Sequence, residues 1–545
     1  MVSDEPKSAA DGGQLTLLAI KEFAEELASR CLADAVETGQ SFGRKEVNDP
    51  LWGTVSLTPS EVALLDTPLI QRLRYVRQLG VAQWTYPGAI HTRLSHTLGA
   101  LHQVQTLASA INVAAAEAGE PLLIAPMQIR ILRLAALLHD IGHCAFSHVT
   151  EKALAEVTNV DLVVAEFQRP FRLENKHLSE VLAYYAVKSP ALTSFLKTIW
   201  AGCSDLAKLG QGTEDTVMQL QDAIARAIIG LVIDNKIPLL HELISGPFDA
   251  DKLDYYARDN HLAGTPSALD ISRLIQKITV RPFTREDLPP RIAQSVKTGL
   301  HSYWLFGIKW SGLAVLDELH LTRVLLYSKI YHHAKVIAVE RMIQSFAAEL
   351  AQVVPAADLL RFFYDLADDT ILHLSTEELQ RKFELKEPLS QEQREHLTCA
   401  SGILRSIRDR RLVVKAFQLH GRYPDDAEGD SRSREGLAEM AADLRSPIRA
   451  PQLIDKVLKD IELLLEKLSA EGPGRRDIRQ LRREVLFHMQ KPEAGGAQIN
   501  RAFLMPSMGK PVPFKAGVVN KHGWVSSYFS DHPEVAGLVE TAFRR

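Results

Sequence analysis

The sequence predicts a mainly α-helical protein, with one small β-hairpin near the N-terminus and a mixed α/β C-terminal part. Three observations carry that reading. Apolar residues recur at helical spacing between recognisable caps over much of the chain, a short alternating strand at Thr54 to Leu57 stands alone among turn residues, and short strands and turns return only from Ile499 to Phe529.

Taken in order, Met1 to Gly13 is polar and acidic. A helix follows from Leu15 to about Val36, with Leu17, Ile20, Phe23, Ala24 and Leu27 as its apolar stripe, suited to a lid or a packing arm. NDPLWGTVSLTPSE holds the hairpin and then Thr58-Pro59, a helix start. Asp66 to Gly80 reads as a helix with Asp66 or Thr67 as N-cap, Pro68 in its first turn and Gly80 as stop. In His91 to Val104 a cap at Thr92 or Ser95 leaves Arg93 and His96 near a helix N-terminus, which favours anions and so suits a phosphate-bearing ligand. Pro126 opens a helix that runs to His139, with Gly142 as a natural end. Further helices are expected around Lys176 to Val187 and through FDADKLDYYARDNHLAG. Tyr423 to Arg434 reads as an acid-rich loop, Ile454 to Leu468 as an amphipathic helix, and Gly472 to Val485 as a basic run whose bland reading is a solvated helix face.

Composition narrows the function classes. With 46% hydrophobic and 24% charged residues the 545-residue chain is ordinary globular protein with room for a large core, and a net charge of -4 gives no global pull towards nucleic acid or membrane. Nucleic acid is therefore not indicated as a partner. Cys31, Cys144, Cys203 and Cys399 show no framework of spacings and are expected as free thiols. With no signal-peptide pattern and no bilayer-length apolar run, the expected location is the cytoplasm.

The chemistry concentrates in Leu132 to His148, LRLAALLHDIGHCAFSH. His139 and Asp140 fall on neighbouring sides of one turn, where an imidazole and a carboxylate can both reach one cation, but two donors make only half a coordination sphere. Among 19 histidines and 67 acidic residues a lone doublet is equally well a capped helix end, so its company decides. That company is HTRLSH before it, and KHLSE and DADKLDYYARD after it.

In this order the four motifs resemble the HD-domain phosphohydrolases, specifically their deoxynucleoside triphosphate (dNTP) triphosphohydrolase branch, which includes the dGTPases. The resemblance begins near Val47, runs to about Phe346 and continues more weakly to about Phe417, through DLADDTILHL and ILRSIRDRRLVVKAF. It implies an all-α HD fold divided into an N-terminal extension at 1–44, a phosphohydrolase core at 45–345, and a C-terminal helical lobe and tail at 346–545 for oligomerisation or regulation. It also implies metal ligands at His96, His139, Asp140 and Asp251, an N/O set suited to manganese, magnesium or iron rather than zinc or nickel. His148 with Glu151 match the histidine and acid beside the scissile bond, and His143 and His177 the inner histidines near phosphate. Arg93, Lys252 and Tyr255 match phosphate and sugar contacts, Asp259 a group near the sugar, and Gln78 and Leu79 the pair lying against the deoxyribose. Leu319 to Val336 matches a further helix of the branch, in which Arg323 matches a phosphate contact and Tyr331 a residue at the base. Tyr327 stands where animal members of the branch carry histidine, so base preference does not carry over; on spacing alone, Tyr327 and Tyr331 are a packing pair.

Lys45, Asn48, Asp66, Gln71 and Arg74 match a regulatory guanine-nucleotide site at a subunit interface, although Asp66 as a helix cap explains part of that pattern. The implied partners are a dNTP substrate, a nucleotide activator and further copies of the chain as a dimer, tetramer or hexamer. The implied role is control of deoxynucleotide pools, in homeostasis or in defence against phage. Two alternatives stand beside this reading: an HD phosphohydrolase acting on another nucleotide or phosphoester, against which Gln78, Leu79 and Tyr331 argue, and a non-catalytic nucleotide-sensing scaffold, against which the intact metal quartet argues.

Overall fold

The computed structural model describes residues 14–413 except 34, 36–39, 121, 267–268 and 387, together with 503–505 and 512–513. Met1 to Gly13 and the features expected between Tyr423 and Val485 lie outside the described residues. The architecture is mainly helical with two small sheets, as the sequence predicts.

The hairpin forms where turn chemistry places it. Strand β1 (Lys45–Asp49) pairs antiparallel with β2 (Gly53–Leu57), Asp49 opposite Gly53, and Gly53 takes φ +69°, a conformation that a side chain disfavours. The Asp49 carboxylate closes the turn by accepting the Leu51 and Trp52 N–H groups at 2.9 and 3.1 Å. Thr58 and Glu61 then form a capping box for the helix Pro59–Leu65. Glu61 is also gripped by Arg133 at 2.7 Å, and Arg133 donates to Ser56 O at 2.8 Å, which pins the hairpin to the helix Pro126–Leu138.

The core is a single apolar cluster. At its centre the helix Arg93–Glu117 buries Leu101, Val104, Leu107, Ala108 and Ile111 and packs against the helices Pro126–Leu138 and Ala250–Leu262. The first helix, Leu17–Leu32, shorter than expected, is a packing arm: Ile20, Phe23, Ala24 and Leu27 are buried, and Glu26 and Arg30 reach Arg361 and Asp365 of a distal helix. Antiparallel strands β3 (Ile278–Phe283) and β4 (Tyr303–Lys309) form the second sheet, which β5 (Phe503–Met505) extends in parallel on β4 and β6 (Val512–Pro513) completes. The helix Ala334–Ala351 runs unbroken through the division expected at 345 and packs on the helices His148–Val157 and Gln391–Arg408.

Three local expectations are corrected. The helix after Thr67 does not reach Gly80: it passes into a tight turn at Arg72–Tyr75 and leaves helical geometry at Val76. Tertiary hydrogen bonds outcompete helix there, with Arg93 N donating to Val76 O at 2.9 Å and Gln78 N to His91 O at 3.0 Å. Gly142 is not a left-handed helix cap; a Cβ there would lie 2.0 Å from Ser179 O, so it serves close approach of two segments. The stretch from Leu319 to Val336 is not one helix, because the helix ending at Leu326 widens into a π turn at Tyr327–Tyr331 and a new one starts at Ala334.

Candidate metal centre and phosphate-facing cluster

Three helices deliver the expected ligands to one place. His96 lies in the first turns of Arg93–Glu117, His139 caps the C-terminal end of Pro126–Leu138 with Asp140 next to it, and Asp251 is in the first turn of Ala250–Leu262. His96, His139 and Asp140 bring ligating atoms within 4.8 Å of one another, an arrangement able to hold a metal ion. Asp251 Oδ1 lies 2.8 Å from His96 Nε2 and 3.8 Å from His139 Nε2.

The orientation of the two imidazoles tests the fit to a cation. His139 Nδ1 bonds to Ala136 O at 2.7 Å, and His96 Nδ1 to Asp254 Oδ2 at 2.7 Å. Both rings are thus held from behind, and both Nε2 atoms are buried, facing only the Asp140 and Asp251 carboxylates. Two buried nitrogens facing two carboxylates fit a divalent ion with N/O preference. The charges agree. Burial opposes the charge on His96, but Asp251 and Asp254 outweigh it and push the ring up to about 10. Burial likewise resists ionisation of Asp140, and Arg93 and His139 overcome it, holding the carboxyl well below its usual range. A cation relieves this crowding of carboxylates.

Beside this centre lies a second group. The loop after Asp140 passes through Phe146 and Ser147 at φ +57° and +55° and then starts the helix His148–Val157. His148 Nδ1 meets Glu151 Oε2 at 2.6 Å, while Glu151 Oε1 accepts Ser179 N–H at 3.0 Å. His148 is 53% exposed in its side chain and Glu151 only 11%, so a buried anion orients an imidazole that reaches solvent. Burial resists that anion's charge and the adjacent His148 overcomes it, holding Glu151 well below the carboxylate range. His143 packs edge-on to His148 at 4.8 Å, and burial together with Arg93 pushes it down to about 3, so it is neutral. His177, also exposed, lies 5.3 Å from His148.

Arg93 joins the two groups, donating to Asp140 Oδ2 and Ser147 Oγ at 2.8 Å each and keeping Nη2 buried and unpaired. Ser147 donates in turn to Arg77 O at 2.6 Å. Asp368, buried and far along the chain, accepts the N–H groups of Arg77 at 3.1 Å and Phe146 at 2.8 Å, fixing this loop from the other side. Burial pushes its carboxyl up to about 6.

The remaining expected contacts are placed less openly. Lys252 Nζ sits on Asp249 Oδ2 at 2.6 Å. Asp259 is held by His91 Nε2 at 2.9 Å and by the Tyr331 hydroxyl at 2.5 Å, Tyr331 packs edge-on against Tyr327 at 4.9 Å, and Arg323 lies over the Tyr327 ring at 4.8 Å. Tyr255 packs on Tyr256 at 4.6 Å; Leu79 is half-buried, and Gln78 keeps a buried, unpaired Oε1. Of the regulatory set, Lys45 meets Asp66 at 3.3 Å, Arg74 meets Gln71 at 2.6 Å, and Asn48 is exposed on β1 opposite Thr54.

Sequence reading assigns no role to Asp254, Arg258, Trp52, Ser147, His91 or Asp368. Asp254 and Arg258 had a visible signal, since a carboxylate four residues before an arginine on a helix forms a pair. Asp368, more than two hundred residues from its partners, had none.

Comparison with known proteins matches one family over part of this region. The HD domain family model matches residues 93–226. Deoxynucleoside triphosphate triphosphohydrolase SAMHD1 of Homo sapiens is 28% identical over 244 residues, covering 43% of this chain and 35% of its own length, and that of Mus musculus is 30% identical over 244 residues, covering 43% and 34%. HD domain-containing protein L394 of Acanthamoeba polyphaga mimivirus is 22% identical over 384 residues, 68% of this chain and 72% of its own. The match thus spans about a third of the length of the two triphosphohydrolases. The matched domain covers the helices that carry His96, His139 and Asp140, so over residues 93–226 the chain resembles HD-domain proteins, and it is similar to dNTP triphosphohydrolases over part of its length.

Proposed function

We propose that this protein is a metal-dependent phosphohydrolase that splits deoxynucleoside triphosphates into a deoxynucleoside and inorganic triphosphate. The observation that carries the reading is the pair of buried Nε2 atoms on His96 and His139, facing Asp140 and Asp251, with His148 and Glu151 alongside. SAMHD1, named for this activity, supplies the substrate class by similarity.

His96, His139, Asp140 and Asp251 would hold the ion, which supplies charge to the phosphate oxygens and a lowered pKa to water. Manganese, magnesium and iron suit these donors. Arg93, with Nη2 unpaired, takes a non-bridging oxygen of the triphosphate, and Lys252 exchanges Asp249 for another. Water attacks the α-phosphorus and loses a proton to solvent; one P–O bond forms, the bond to the 5′ oxygen breaks with its electron pair on that oxygen, and His148 delivers a proton to it. Glu151 fixes the His148 ring through Nδ1, leaving Nε2 for the proton transfer. Neutral His143 lines the phosphate side beside it.

Gln78 and Leu79 would lie against the sugar, and Tyr331 and Tyr327 near the base once Asp259 and Tyr331 part. Lys45, Asn48, Asp66, Gln71 and Arg74 would take a nucleotide activator between subunits. The test is product analysis with each dNTP alone and then all four together, in manganese or magnesium. Deoxynucleoside and triphosphate are expected, and turnover confined to the mixture would support the activator site. Cleavage of a different phosphoester with no dNTP turnover would transfer the same machinery to another substrate.

A further inference from the structure

The hairpin reaches the metal centre through one side chain. Trp52, at the β1–β2 turn, donates its indole N–H to Asp254 Oδ1 at 2.5 Å, and Asp254 Oδ2 holds His96 Nδ1 at 2.7 Å. Arg258 braces the same carboxylate, with Nε on Oδ2 and Nη2 on Oδ1 at 2.8 Å each, and ties it back to the hairpin by donating to Asp49 Oδ2 at 2.8 Å. Asp254 and Arg258 are fully buried. Gly99 leaves room for this approach, since a Cβ there would fall 1.8 Å from Asp254 Oδ1. The indole also stacks on His102 of the helix that carries His96, with ring centroids 6.0 Å apart and planes 11° from parallel.

A carboxylate behind a ligating histidine fixes ring orientation and raises ligand basicity only if it is itself fixed. Arg258 and Asp254 belong to one helix and move together. Trp52 and Asp49 are the members of this network that come from a different part of the fold. We propose that Trp52 is a positioning residue for the metal centre: its N–H sets the Asp254 carboxylate, which sets the His96 ring, so the β1–β2 hairpin controls metal affinity without touching the ion. This rests on the metal reading above.

The test is a calorimetric titration of the metal-free protein with manganese, comparing wild type, Trp52→Phe, Asp49→Asn and His139→Ala, each with its metal-free melting temperature. Trp52→Phe keeps the ring against His102 and removes the donor; a 10–100-fold weaker affinity, about the range for lost support behind a ligand, is expected with only a small fall in melting temperature. Asp49→Asn keeps an acceptor for the turn but withdraws charge from Arg258, and a weakening in the same direction is expected. If Trp52→Phe does not fold, Asp49→Asn decides. Wild-type affinity in the folded Trp52→Phe protein, with binding lost in His139→Ala, overturns the role of Trp52 and leaves the metal reading standing. No manganese binding by wild type overturns both.

Discussion

The two halves of the site solve opposite problems. Around His96 and His139 the rings are held from behind, Asp254 and Ala136 O taking the Nδ1 atoms, while both Nε2 atoms face the Asp140 and Asp251 carboxylates. Around Asp259 and Asp249 the polar groups satisfy one another, with Asp259 between His91 and Tyr331, Tyr331 on Tyr327, and Lys252 on Asp249. The first half is preorganised, so a cation meets ligands already in place and displaces only the contact between His96 and Asp251. The second must exchange internal bonds for ligand bonds, so each contact there yields only the difference. Chemistry is thus built rigidly and recognition adjustably.

If that contrast is right, substitutions should divide by magnitude. The largest loss is expected for His139→Ala and Asp140→Ala, which take ligands from the preorganised half: turnover should fall by about 10³-fold or more, the equivalent of several kcal/mol, together with manganese binding. His148→Gln keeps metal binding but withdraws the proton donor, and kcat should fall by about 10²–10⁴-fold. Equal manganese affinity in His148→Gln and wild type separates the two groups; loss of both would merge them.

Asp368 offers a test at the junction. Its carboxyl, pushed up to about 6 by burial, binds a proton in the folded chain that the unfolded chain has already released near pH 4. The folded state therefore loses stability relative to the unfolded as pH rises from about 4 to about 6, by on the order of 2–3 kcal/mol. Asp140 and Glu151, both held low, act oppositely: their stabilisation is present above about pH 4 and fades in more acid solution. Asp368→Asn should be less stable than wild type at pH 4, because one of two buried N–H groups loses its acceptor, and that deficit should shrink towards pH 6. Denaturant melts at a series of pH values measure this; a constant deficit would mean that Asp368 stays ionised throughout.

The smallest effect belongs to the adjustable half. Tyr331→Phe removes one of the two partners of Asp259 but leaves His91, and about 1 kcal/mol or less of stability should be lost, with KM shifting a few-fold and kcat little changed. A fall in kcat comparable with that of His148→Gln would put Tyr331 in the chemistry.

How far the sequence revealed this follows from the range of the interactions. Helix starts were legible where a cap is local: Thr58 before Pro59, Thr67 before Pro68, Thr92 before Arg93. Helix ends were not. The helix expected to run to Gly80 breaks at Val76 because its backbone bonds to His91 and Arg93, and the π turn at Tyr327–Tyr331 interrupts a run with continuous helical spacing. The expected metal quartet converges because two of its members share one doublet and the others stand in the first turns of their helices. The groups that orient them come from a hairpin turn and a distal helix, linked only by the fold, and no spacing betrays Trp52 behind Asp254 or Asp368 behind Phe146.

The most direct measurement is hydrolysis of a single dNTP, or of the mixture if that is required, in isotopically labelled water with manganese present, followed by mass analysis of both products. Attack at the α-phosphorus, directed by Arg93 and the metal ligands with His148 protonating the 5′ oxygen, puts the label in inorganic triphosphate and none in the deoxynucleoside. Label in a nucleoside monophosphate or diphosphate, with pyrophosphate or phosphate as the other product, would contradict the reading by placing attack or bond cleavage elsewhere.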